Sequence, residues 1–113
     1  MSRYGFDLDG VLSRPVLAGL ANDLYDAGHE VYIVTGGLAD TGEWTLEERR
    51  KRLEKYGVRY SEIIRCLEPD INNIGAAKGR ACDRLGIGLL IDDSYPYLVG
   101  AATVSKLERL LVL

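Results

Sequence analysis

Strand and helix patterns alternate along this chain, and the alternation constrains its fold more than any other feature. Four segments read as buried strands: residues 4–8, 30–35, 62–66 and 89–92. Each is short, rich in branched or aromatic residues, and bounded by glycine or polar residues. Between them the apolar residues recur at helical steps. Val16, Leu20, Leu24 and Ala27 mark a first helix, with Ser13 as its expected N-cap, Pro15 in its first turn and Gly28 ending the pattern. A second is expected over 45–56, with Leu46, Leu53 and Tyr56 on one side and Gly57 after it. A third runs over about 72–85 and stops at Gly86. The spacing then predicts a fourth helix from Tyr95 to about Arg109, weakened by Gly100 and Thr103, and an edge strand over 110–113.

Strands separated by helices imply a parallel sheet covered on both faces. The expected fold is α/β, a Rossmann-like three-layer sandwich with a central parallel sheet of about five strands. A length of 113 residues suits one domain, 1–113, and is too short for two. Hydrophobic residues at 47% and charged residues at 27% exclude a disordered or fibrous chain. No apolar run approaches the ~20 residues that span a bilayer, and Met1-Ser2-Arg3-Tyr4 does not begin a secretory signal. The expected compartment is therefore the cytoplasm, with no membrane partner. A formal net charge of −3 argues against a dedicated nucleic-acid binder, although a local basic patch would escape that argument. Cys66 and Cys82 fit no metal or redox spacing and read as small buried hydrophobes.

Ligands of an open parallel sheet bind outside the carboxyl ends of its strands. Here the first strand ends in Asp7 and Asp9, the second in Thr35-Gly36-Gly37, and the fourth in Asp92-Asp93-Ser94. Converging on one crevice, Asp7, Asp9, Asp92 and Asp93 would repel one another and raise some of their pKa values. A hard divalent cation with oxygen ligands removes the conflict, and Mg2+ is the expected one. No His or Cys stands beside these aspartates, which disfavours zinc or copper. Lys78 shares a helical stripe with Ile74, Ala81 and Leu85. A lysine on an inward face either snorkels to water or meets negative charge, and the acidic strand ends favour the second.

With these residues in place, the chain resembles the haloacid dehalogenase (HAD) superfamily in its phosphatase branch. The family's Asp-x-Asp-Gly after an apolar strand is matched by Phe6-Asp7-Leu8-Asp9-Gly10-Val11, and its strand ending in Thr or Ser by Val31-Tyr32-Ile33-Val34-Thr35-Gly36. Its lysine is matched by Lys78, and its strand ending in paired acids by Leu89-Leu90-Ile91-Asp92-Asp93. The resemblance implies strand order 5-4-1-2-3. It implies that Asp7 attacks phosphorus and forms an aspartyl-phosphate. Asp9 would protonate the leaving oxygen and later take a proton from water. Thr35, Gly36 and Lys78 would bind the phosphoryl group. Asp7, the backbone carbonyl of Asp9, and Asp92 would hold Mg2+, with Asp93 orienting Lys78 or a metal water. The second aspartate, Asp9, disfavours dehalogenation.

The chain has no room for the cap domain that many such phosphatases insert. Capless relatives either oligomerise or act on large substrates that close the site themselves, so a homo-oligomer is one expectation. The expected substrate is a phosphorylated small molecule, a nucleotide or a nucleic-acid 3′-phosphate end. A phosphotransferase would share every residue named, and a non-catalytic metal- and phosphate-binding domain is a rival from another class. A phospho-acceptor receiver domain uses similar residues in a different strand order.

Arg49, Arg50, Lys51, Arg52 and Lys55 could form a polynucleotide patch. The preferred reading is a solvated helix face with Glu47/Lys51 and Glu48/Arg52 pairs. Trp44 could stack on a base or anchor the start of its helix, and Thr41-Gly42 reads as a turn. His29 is expected to complement a helix end and Arg14 to lie on the surface.

Overall fold

The computed structural model describes residues 2–38 and 45–113, so Thr41, Gly42 and Trp44 lie outside the described residues. Five strands, β1 (Arg3–Phe6), β2 (Glu30–Leu38), β3 (Glu62–Glu68), β4 (Leu89–Asp92) and β5 (Glu108–Leu111), form one parallel sheet in the order β3-β2-β1-β4-β5. Four helices, α1 (Pro15–Asp26), α2 (Leu46–Tyr56), α3 (Ile74–Leu85) and α4 (Tyr95–Ala102), cover it. This is the three-layer α/β sandwich, and the strand order, that the sequence leads one to expect.

Side chains alternate across β2, so Val31 and Ile33 enter one core while Tyr32 and Val34 enter the other. The first core is closed by Ala18 and Ala21 of α1 and Leu53 of α2, the second by Ala81 and Cys82 of α3 and Leu98 and Ala101 of α4. Burying a side chain such as Leu53 or Leu90 stabilises the fold by about 1.5–3 kcal/mol. Helices α3 and α4 cross closely because Gly75 and Gly79 face the α4 backbone. A Cβ on Gly75 would stand 2.6 Å from the Tyr97 carbonyl oxygen, and one on Gly79 2.7 Å from that of Ala101.

Three local expectations are corrected. The inward stripe of α1 is Leu17, Ala18, Ala21 and Leu24, whereas Val16 is 83% exposed and Leu20 lies at the surface. The two stripes meet at Leu24 and lie one residue apart before it, Ala27 is exposed just past the helix end, and the small alanines let the helix approach the sheet. Ser13 ends the turn before α1, and Arg14 occupies the N-cap position. Helix α4 stops at Ala102 rather than near Arg109, and β5 begins at Glu108. Beyond Gly100, the Thr103 hydroxyl bonds back to the Gly100 carbonyl, and the chain then pairs with β4 from Leu89↔Glu108 to Asp92↔Leu111. Ladder bonds to a buried strand outweigh a helical pattern that a glycine already weakens.

Candidate active site

Strand β1 is the middle of the sheet, flanked by β2 and β4 with Phe6 opposite Ile33 and Ile91. The three strand ends that carry the polar residues are therefore neighbours. After Phe6 the chain stays extended through Asp7 and turns sharply at Gly10, whose φ is 78°. A side chain there would be strained and would also run into the Asp93 carboxylate, so the glycine is required twice over. Across the crevice, a Cβ on Gly36 would collide with Ile74 of α3, which explains the glycine after Thr35 in packing terms.

Lys78 comes from α3, where Ile74, Lys78 and Ala81 are all buried. Its ammonium is fully buried and donates to Asp7 Oδ1 at 2.9 Å and to Asp92 Oδ2 at 2.7 Å. The other Asp92 oxygen accepts the Ser94 N–H at 2.9 Å. Carboxylate oxygens of Asp7, Asp92 and Asp93 lie within 4.8 Å of one another. Burial pushes the Asp7 carboxyl up to about 7, against the pull of Lys78 and with the help of Asp92. Burial alone would lower Lys78, yet Asp7 and Asp92 hold it above the ordinary lysine value. The ring of Tyr97 stands 5.0 Å from the same ammonium.

These oxygens fit a hard cation. They are carboxylate donors clustered at one point, and Asp92 keeps lone pairs beyond the two already engaged. Lys78 bonds to Asp7 and Asp92, and Asp93 stands exposed against the Gly10 turn. The Asp9 side chain is 48% exposed and is held by Arg52 at 2.7 Å. Asp7, Asp9, Thr35, Gly36 and Asp93 line a cleft of about 430 Å3, closed on another side by Ile71, Ile74 and Tyr97. A larger open hollow of about 700 Å3 lies at the opposite ends of the strands, by Arg3, Gly86 and Leu89, and gathers no such cluster.

The basic run on α2 is a solvated face only in part, with Arg50, Lys51 and Lys55 exposed. Lys51 does pair with Glu47, at 3.8 Å. Arg52, however, reaches Asp9, and Arg49 is fully buried, donating from Nε to Thr35 Oγ1 at 3.2 Å and from Nη2 to the Gly36 carbonyl at 3.4 Å. The available signal was helical position. Arg49 lies three residues after Leu46 and four before Leu53, inside the apolar stripe, as Lys78 does on α3. His29 and Arg14 stand apart from the cleft: His29 Nδ1 accepts the Ser2 N–H, and Arg14 bonds to the Leu113 carbonyl. Cys66 and Cys82 are buried free thiols, both pushed up by burial.

No protein family and no curated protein matches the chain in sequence. The fold is similar to that of a D,D-heptose 1.7-bisphosphate phosphatase from B. bronchiseptica, solved with magnesium and phosphate, at 21% identity, a TM-score of 0.61, and coverage of 93% of this chain and 77% of that one. It is also similar to a universal stress protein solved with cAMP, at 15% identity, TM-score 0.59, and coverage of 98% and 95%. A universal stress protein family member from Burkholderia pseudomallei gives 16% identity, TM-score 0.59 and the same coverage. At these identities the likeness establishes the fold, which is the one the sequence resemblance implied. No described helix is long and apolar enough to cross a membrane.

Proposed function

We propose that the chain is a single-domain, capless HAD-type phosphatase that removes phosphate from a monoester through an aspartyl-phosphate on Asp7. The observation that carries this reading is the buried Lys78 bridging Asp7 and Asp92 beside a third carboxylate, Asp93. Apolar side chains of similar volume would stabilise such a position as well or better, so a buried ammonium between two acids calls for a functional reason.

Asp7 attacks phosphorus, and the bond from phosphorus to the leaving oxygen breaks as the acyl phosphate forms. Asp9, at the mouth of the cleft, gives its proton to that oxygen and then takes one from the water that releases phosphate. The Thr35 hydroxyl and the remaining N–H of Lys78 bind phosphoryl oxygens and offset their charge. Mg2+ at Asp7, Asp92 and the Asp9 carbonyl, with Asp93 beside them, would neutralise further phosphoryl charge. Nucleotides and nucleic-acid 3′-phosphate ends lead the field of substrates, and a homo-oligomer or a large substrate covers the site.

A second reading is a non-catalytic metal- and phosphate-binding domain, favoured by the likeness in fold to a universal stress protein solved with cAMP. A screen of nucleotides, sugar phosphates and 3′-phosphorylated oligonucleotides, with and without Mg2+, separates the two. Turnover that needs Mg2+ and falls at least about 10^4-fold in Asp7→Asn supports the phosphatase. Mg2+ binding with no turnover of any substrate favours the binding domain, and an unchanged rate in Asp7→Asn removes the assigned nucleophile.

A further inference from the structure

Thr35 is the hydroxyl assigned to phosphoryl binding in the proposed site, and a hydroxyl has one proton to give. A threonine at a strand end can turn that proton toward any nearby acceptor, including main-chain carbonyls. What stands behind it therefore decides whether the proton faces the cleft. The group behind it is Arg49, fully buried on α2.

Arginine offers donors and no acceptor. When Arg49 Nε donates to Thr35 Oγ1 at 3.2 Å, the hydroxyl oxygen has to accept. Its own proton cannot return along that line and is left for a partner on another side, where the cleft lies. The same guanidinium donates to the Gly36 carbonyl at 3.4 Å and to that of Thr45 at 3.4 Å. It thus ties the end of β2 to the first turn of α2, where the Thr45 hydroxyl caps the helix by accepting the Glu48 N–H. Its planar fork makes these bonds together, and a lysine could not. The buried positive charge also polarises the Thr35 O–H toward an anionic oxygen.

We propose that Arg49 is a positioning residue for phosphoryl transfer, acting through Thr35: it holds the hydroxyl as an acceptor from behind, so that the Thr35 proton is presented to a phosphoryl oxygen. This rests on the phosphatase reading for the identity of the ligand, and on the geometry around Arg49 for the role.

The test is a double-mutant cycle of Arg49→Met and Thr35→Val, read by p-nitrophenyl phosphate hydrolysis with Mg2+ and by calorimetric binding of orthovanadate, which mimics the transferring phosphoryl group. Arg49→Met is expected to lower both kcat and vanadate affinity by about 10- to 100-fold in the Thr35 background. In the Thr35→Val background the same substitution is expected to change either by no more than about twofold, because the group it acts through is gone. If Arg49→Met does not fold, Arg49→Lys keeps the charge without the fork, and its loss must likewise vanish beside Thr35→Val. Additive losses, or unchanged vanadate affinity in the Arg49 variants, overturn the role of Arg49. Vanadate binding without hydrolysis by the unsubstituted chain defeats the phosphatase reading alone and leaves the vanadate cycle to decide the role. Absence of vanadate binding to the unsubstituted chain overturns both.

Discussion

Lys78 with Asp7 and Asp92, and Arg52 with Asp9, are cation–carboxylate contacts of nearly the same length, 2.7–2.9 Å. Their surroundings differ completely. The Lys78 and Asp92 side chains have no exposure, whereas Arg52 and Asp9 are 35% and 48% exposed. In the interior, Lys78 and Asp92 have no water to fall back on and Asp7, at 13% exposure, has little, so each charge depends on its partners. At the rim, water and salt take over when the pair opens, so the same distance is worth little. The difference suits the proposed roles. Asp7 has to be held in line with phosphorus, while Asp9 has to exchange protons with a leaving group and with water.

The strongest way to break this contrast is Lys78→Met. It leaves Asp7 and Asp92 buried without their cation, and the metal-free protein is expected to lose about 3–5 kcal/mol of stability in urea unfolding. Saturating Mg2+ should recover part of that loss. A loss below about 1 kcal/mol would make the interior triad no different from a surface pair.

A pH series sharpens the comparison further. Asp7 is held up to about 7 in the folded protein against an ordinary carboxylate value of 3.8. The folded state therefore binds the Asp7 proton more tightly than the unfolded state does. Its contribution is fully present below the ordinary value and is lost as pH rises through about 7. The melting temperature of the metal-free protein should accordingly fall across that window, and Asp7→Asn should flatten the fall. Protons and Mg2+ compete for the same oxygens, so the rise in Tm on adding Mg2+ should be larger at pH 8 than at pH 5.5. An equal rise at both values would detach the cation from Asp7. The smallest effect is expected from Arg52→Ala at the rim, a change of no more than about 1 kcal/mol in the free energy of urea unfolding, shrinking in high salt.

The interior half of the site was legible in the sequence and the α2 half was not, for a physical reason. Asp7, Thr35, Asp92 and Asp93 end apolar runs, so the parallel sheet alone brings them together. Lys78 interrupts an apolar stripe that the other charged residues of the helix, Arg80, Asp83 and Arg84, stay out of, and the mismatch is visible. Arg49 interrupts a stripe too, but four further basic residues between positions 50 and 55, three of them exposed, hide it. A run of like charge conceals the one member whose position differs. The fold followed the same rule. Its five strands were readable and their order was implied by the family resemblance, while the stop of α4 at Ala102 depended on a ladder to β4 formed by residues distant in the chain.

Asp7 as the nucleophile is tested most directly by trapping. Turnover of p-nitrophenyl phosphate with Mg2+ is quenched in the presence of sodium borohydride, which reduces an acyl phosphate to an alcohol, and the digested protein is sequenced by tandem mass spectrometry. Asp7 is expected to appear as homoserine, with Asp9, Asp92 and Asp93 unchanged. Reduction at any other carboxylate, or turnover with Asp7 unmodified under the same quench, would contradict the assignment.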